Sequence, residues 1–146
     1  MTTVELDIPR PPAEVFAVLA DGWTYAGWVV GATHIRAVDK GWPAVGARIH
    51  HSVGTWPLQL KDQTVVRSVV PGDSLELHAK AWPFGTALVR FELTATADGT
   101  RVSMAEKAVE GPGALVPEAV QALVLQPRNR ETLLRLSDVV VRGDHR

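Results

Sequence analysis

The chain has no cysteine in its 146 residues, which excludes disulfides, thiolate nucleophiles and cysteine-based metal sites. Its net charge is only −1, and no run of Lys or Arg exceeds two. The basic patch that sequence-independent nucleic-acid binding requires is therefore missing, and no nucleic-acid partner is expected. No apolar run approaches the roughly 18 residues of a spanning helix, and the N-terminus lacks a charged-then-apolar signal pattern. The expectation is a cytoplasmic chain without membrane insertion. There is no G-x-S-x-G elbow, no glycine-rich phosphate loop and no H-E-x-x-H pair. No cluster of histidines and carboxylates has ligand spacing, so neither metal nor cofactor is expected. Repeats, low-complexity tracts and linkers are also missing, which implies one domain over residues 1–146.

What remains is 46% apolar and 21% charged, ordinary for a globular protein, with an unusual five tryptophans. The segment that organises the chain is its last long one, from Gly113 to Arg142. Val116, Val120, Leu123, Val124 and Pro127 recur at three- and four-residue steps, as do Leu133, Leu136 and Val140, with Asn129 one turn before Leu133. This spacing predicts a helix with one apolar stripe. Gln121, Arg128, Arg130, Glu131, Arg135 and Asp138 fall on its other faces, and Gly143 is its stop. Pro127 removes one hydrogen bond and crowds the preceding turn, so a kink is expected near Gln126. A kink there holds the first half of the helix away from its partner and leaves a cavity. The plain alternative is that Pro127 separates two packed helices.

The rest reads mostly as strand and turn. Thr2 to Ile8 alternates apolar and polar residues, the period of a half-buried strand. Pro12 opens a short helix through Ala20, with Val15, Phe16 and Leu19 on one face. Trp23 to Gly31 reads as a helical turn that packs Tyr25 and Trp28 under a sheet or at a pocket mouth. Further strands are read at Thr33–Asp39, Ala47–Thr55, Leu58–Val70, Leu75–Ala81, Ala87–Ala95 and Thr100–Val109, with Asp98-Gly99 as a hairpin signal. A sheet with one apolar face needs a cover, and the C-terminal helix is the only segment long enough to supply it. The class is α+β, with a seven-stranded antiparallel sheet, short helices after the first strand and a long C-terminal helix.

Laid out in this order, the chain resembles the START-like or Bet v 1-like helix-grip superfamily (SRPBCC), and more narrowly its polyketide cyclase/dehydrase-like branch. The resemblance rests on Ile8-Pro9 followed by Pro12-Ala13-Glu14-Val15-Phe16, Trp28-Val29-Val30-Gly31 and Trp42-Pro43-Ala44-Val45-Gly46. It continues through His50-His51-Ser52-Val53-Gly54, Asp98-Gly99-Thr100-Arg101-Val102 and Asn129-Arg130-Glu131-Thr132-Leu133. It covers essentially the whole chain. It implies a curved sheet wrapped around the C-terminal helix with an apolar cavity between them. It does not supply a reaction, because the superfamily includes carriers, receptors and enzymes.

Alternation places His51 inward with Ile49 and Val53, and His50 outward. A cavity histidine can donate to a carbonyl or move a proton, since its ordinary pKa is about 6.5; its plain role is a core histidine with a partner. Glu106 shares a face with Val102 and Met104 and must pair, with Arg128 or His51, or hydrogen-bond a ligand hydroxyl. Its plain alternative is a wet position near the strand end. Asn129, the chain's only asparagine, lies on the helix stripe and bonds either a ligand or a main-chain group. Trp56 and Trp82 stand at strand ends where they can rim a cavity, and Trp23, Tyr25 and Trp28 can close the other end. Leu77, Phe91 and Leu133 complete the expected lining with Val53 and Met104. Ala79, Ala81, Ala87, Ala95 and Ala108 fall on inward faces, where small side chains leave room.

The leading expectation is a soluble binding protein, monomer or homodimer, for an apolar or aromatic small molecule such as a lipid or polyketide. One alternative is a polyketide cyclase/dehydrase-type enzyme in which His51 or Glu106 is the catalytic group. Another is a structural or partner-binding domain with a filled core.

Overall fold

The computed structural model describes residues 1–30, 32–53, 60–81 and 85–143. Strand β1 (Thr2–Ile8) ends at the prolines and gives way to helix α1 (Pro12–Leu19), which buries Val15, Phe16, Val18 and Leu19. After a 3-10 turn at Gly22–Thr24 comes the short helix α2 (Tyr25–Trp28), with both terminal aromatics buried. Six strands follow: β2 (Ala32–Val38), β3 (Arg48–Val53), β4 (Leu60–Val70), β5 (Ser74–Ala81), β6 (Gly85–Ala95) and β7 (Thr100–Glu110). The chain closes with a 3-10 turn at Pro112–Leu115 and the long helix α3 (Glu118–Arg142).

The seven strands form one sheet in the order β1-β7-β6-β5-β4-β3-β2, and every neighbouring pair is antiparallel. All sequential neighbours from β2 to β7 pair directly, and only β1 returns to lie beside the last strand. Register shifts interrupt the β2–β3, β4–β5 and β6–β7 ladders. Bulges of this kind increase local twist and bend the strand that carries them. Helix α3 lies across β1 and β7, with α1 and α2 packed beside it. The interior is filled by Leu75, Leu77, Val89, Phe91, Val102 and Met104 from the sheet against Leu133, Leu136 and Val140 from α3. Trp28 meets Phe91 and Tyr25 edge-on, with ring centroids 5.8 and 5.3 Å apart, the arrangement that opposes positive ring edges to negative faces. This is the helix-grip α+β architecture.

Several local expectations need correction. The final helix begins at Glu118, not Gly113. Pro117 forces the residue before it out of the helical region, and Val116 is accordingly extended at φ −77°, ψ 129°. Gly113 and Leu115 therefore belong to the separate 3-10 turn. Helix α3 runs unbroken through Pro127, so the two-helix alternative does not hold. Gly143 ends it in the left-handed conformation, its N–H bonded to the Val139 carbonyl at 3.1 Å. Ala95 is exposed rather than inward, because β6 runs past the edge of the core after Leu93. Trp23 is exposed as well and closes nothing, whereas Tyr25 and Trp28 are buried. Gly85 opens β6 at φ +110°, and a Cβ there would collide with the Glu110 carbonyl of β7, so close strand approach requires glycine.

Candidate ligand-binding site

The first half of α3 does not pack down on the sheet. Val120 and Val124 are exposed, Leu123 is 76% exposed, and Val116 before the helix is exposed too. Between this raised segment and the sheet lies a cavity of about 440 Å³. Ala79 of β5, Ala87 of β6 and Ala108 of β7 form its floor, and Val116, Val120, Val124 and Leu125 form its roof. Three of the five alanines read as inward are therefore at the cavity, where any larger side chain would take its volume. The size falls within the range of small-molecule sites, and the lining is predominantly apolar.

A side chain ties the roof to the sheet. Gln121, expected on an outer face, instead bridges α3 to the sheet: its Oε1 accepts from the Ala108 N–H of β7 at 3.1 Å. Its Nε2 donates to the carbonyls of Val116 (2.7 Å) and Gly113 (3.4 Å). Helical periodicity alone gave no sign of this role, because all its partners lie outside the helix.

The polar end of the cavity is formed by Glu106 and Arg128. Glu106 is only 3% exposed, so the wet alternative is wrong. Its Oε2 lies 3.5 Å from Arg128 Nη2, so of the partners the sequence left open it meets Arg128. Oε1 of Glu106 and Nε of Arg128 are buried and have no hydrogen-bond partner among the described residues. An ion pair with one atom of each member unsatisfied is held at a cost, since buried charges need full sets of partners.

His51 lies on β3, buried as expected, with Nε2 3.0 Å from Thr64 Oγ1 on β4. Thr64 Oγ1 is also 3.4 Å from the Tyr25 hydroxyl of α2, and the Tyr25 and His51 rings are 5.8 Å apart. The threonine hydroxyl has one proton and two lone pairs, so its bond to His51 can run either way. If Thr64 donates to Nε2, Nδ1 of the neutral His51 ring carries the proton. If His51 donates, the free Nδ1 is an acceptor. In both cases Nδ1 has no partner among the described residues. Burial lowers the His51 pKa, against an opposing pull from Asp62, so the ring is neutral near pH 7. Burial raises the Tyr25 pKa, with a smaller upward contribution from Glu106, so the phenol keeps its proton.

Asn129 is fully buried, and neither its Oδ1 nor its Nδ2 has a partner among the described residues. Leu77, Phe91, Met104 and Leu133, expected in the lining, are packed in the core. The Val53 side chain, Trp56 and Trp82 lie outside the described residues. His50 faces away and approaches Asp39 at 3.4 Å, as alternation required. Among the described residues no group of three metal-ligating side chains is present, and none of their helices is long and apolar enough to cross a membrane.

A curved antiparallel sheet, a gripping C-terminal helix and an apolar cavity between them define a helix-grip, SRPBCC-type protein. Residues 1–141 match the family described as polyketide cyclase / dehydrase and lipid transport, and the chain belongs to that family. Comparison with curated protein sequences finds no match. Solved structures of similar fold include protein NE0264 from Nitrosomonas europaea, 15% identical over 99% of this chain and 96% of that one, with a TM-score of 0.75. Ara h 8.0201 is 15% identical over 96% of each chain, with a TM-score of 0.69. The di-domain ARO/CYC StfQ from the steffimycin biosynthetic pathway is 12% identical over 97% of this chain and 50% of that one, with a TM-score of 0.73. At these identities the likeness is one of fold.

Proposed function

We propose that the protein binds an apolar or aromatic small molecule, such as a lipid or polyketide, in the cavity under the first half of α3. The observation that carries this reading is the cavity itself: about 440 Å³ with alanines below and valines above, and one charged pair at its end. Burying apolar ligand surface there contributes roughly 25 cal/mol per Å² before ordering costs. Glu106 is the site residue with the strongest claim to orient the ligand, with His51 and Asn129 as further buried polar groups. A structural domain with a filled core would not hold such a space open. Native mass spectrometry of freshly purified protein, followed by solvent extraction, tests the reading. A retained apolar molecule supports it. Failure of the protein to take up any apolar probe, such as Nile red, defeats it.

A second reading is supported by the buried polar groups. His51 is neutral and Glu106 is enclosed, each with one buried atom that has no partner among the described residues, and such groups are candidates for proton transfer next to a carbonyl. The fold shared with a di-domain ARO/CYC is compatible with a cyclase/dehydrase-type enzyme. On that reading His51→Ala abolishes turnover of a polyketone substrate while leaving its binding intact. Turnover indifferent to both His51→Ala and Glu106→Gln ends it.

A further inference from the structure

Besides its buried stripe and the wall it gives the cavity, α3 carries a second apolar line on its solvent side. Leu123 is 76% exposed, Leu134 51% and Val141 39%, with Pro127 exposed between them. Steps of four and seven residues return to one side of a helix, so these positions stack along its length. Chains that remain single rarely expose a continuous apolar line of this extent. We infer that this line is a docking surface for a second copy of the chain, with the two α3 helices packed antiparallel about a two-fold axis beside Leu133 and Leu134. The inference is independent of what the cavity holds.

Charge identifies the occupant. Beside the line, one flank of α3 carries Arg128, Glu131, Arg135, Asp138 and Arg142, alternating in sign at steps of three and four residues. Glu131 and Arg135 are half exposed and 3.9 Å apart, so they interact weakly within one helix and remain available to a partner. Two-fold symmetry makes a surface meet itself, so this flank meets the same flank of the copy. In antiparallel order each residue before the axis faces one an equal distance after it. An axis beside Leu133 sets Glu131 against Arg135 of the second copy, and Arg135 against its Glu131. Asp138 comes level with Arg128 of the second copy, a side chain 39% exposed. The same axis brings Leu134 against its own copy and drops Val141 between Leu123 and Pro127. Apolar line and charged flank therefore share one register. An anionic membrane would instead meet the carboxylates of Glu131 and Asp138 beside the apolar line, which favours a protein partner. Contact between two helices is small against the roughly 800 Å² per partner of a stable complex, so a weak, concentration-dependent dimer is expected.

Sedimentation velocity of the intact protein from about 1 to 300 μM tests the interface, since that range brackets a weak complex. A reversible shift from monomer to dimer is expected. Leu134→Glu changes an exposed position and is expected to leave the urea midpoint unchanged while weakening association at least about tenfold. Glu131→Arg and Arg135→Glu each set like charges across the axis twice and are expected to weaken self-association about tenfold. An equimolar mixture of these two variants puts Arg against Glu again and recovers the dimer, which no structural role of either residue predicts. A wild type that stays monomeric across the range overturns the inference, and so does a chain that stays single yet sediments with anionic vesicles. A dimer that tolerates Leu134→Glu places the contact elsewhere and overturns it too. Weakened association in both charge variants without recovery in their mixture overturns the antiparallel pairing, and the inference with it.

Discussion

The two halves of α3 share one helix and one alternation of apolar residues, yet they do opposite things. From Asn129 to Val140 the stripe is buried: Leu136 is 0% exposed, and Thr132, Leu133 and Val140 lie with it against β1, α1 and α2. From Glu118 to Pro127 the same kind of stripe stands clear of the sheet and roofs the cavity. The difference lies in what each half faces. The second half meets Leu, Phe and Met side chains that fill the space, and the first meets alanines that do not. The lesson is that an apolar helical stripe records a face turned toward the sheet, and only the partner decides whether that face is a core or a wall.

The sharpest way to break this comparison is to truncate one leucine in each half. Leu136→Ala is expected to cost about 2–5 kcal/mol in urea unfolding, through lost burial and the space left behind. Leu123→Ala is expected to stay within about 0.5 kcal/mol. Similar costs at both positions would mean that the first half packs in solution. Asn129 tests whether the border between the halves is kept for function. Its amide has no partner among the described residues, so Asn129→Leu is expected to stabilise the fold by about 1–3 kcal/mol, while weakening retention of the bound molecule in native mass spectrometry. Destabilisation instead would show that the amide is satisfied within the protein. Val120→Trp should fill the cavity with little change in unfolding midpoint, about 1 kcal/mol at most, and reduce Nile red binding about tenfold or more. Undiminished binding would place the probe elsewhere.

The smallest effect concerns the interior beneath α2, against which the second half packs. His51 binds a proton less readily in the folded state than its ordinary value of 6.5. The unfolded chain thus takes up more protons as pH falls below about 6.5, and stability declines there until the folded-state value is passed. Above 6.5 this group contributes no slope. Urea midpoints measured across this window should fall with pH in the wild type and less so in His51→Phe. Parallel curves for the two proteins would show that the ring is not desolvated.

Periodicity was enough to find most of this fold. Alternation in β1, β3, β5, β6 and β7 gave the inward faces, because successive strand side chains point to opposite sides. Proline and glycine marked nearly every break. Misreadings came where a local signal was overridden by a neighbour: Gly113 to Val116 has helical spacing, but Pro117 holds Val116 extended. The site was only half legible. His51, Glu106 and Asn129 stood out as polar residues on apolar faces, with Arg128, His51 and a ligand hydroxyl all left open as the partner of Glu106. Thr64, Gln121 and Val116 as a wall residue gave no such signal, since their roles depend on partners far along the chain.

The sequence by itself determined the secondary structure, the apolar faces and the polar residues that interrupt them, because those depend on local period and on the cost of burying an unpaired group. Only the tertiary structure decided that Gln121 would hold the first half of α3 to β7 over a floor of alanines, and that Glu106 and Arg128 would meet in the cavity lining. Those outcomes depend on which strands lie beneath the helix, and strand order is fixed by long-range pairing that no short window of residues contains.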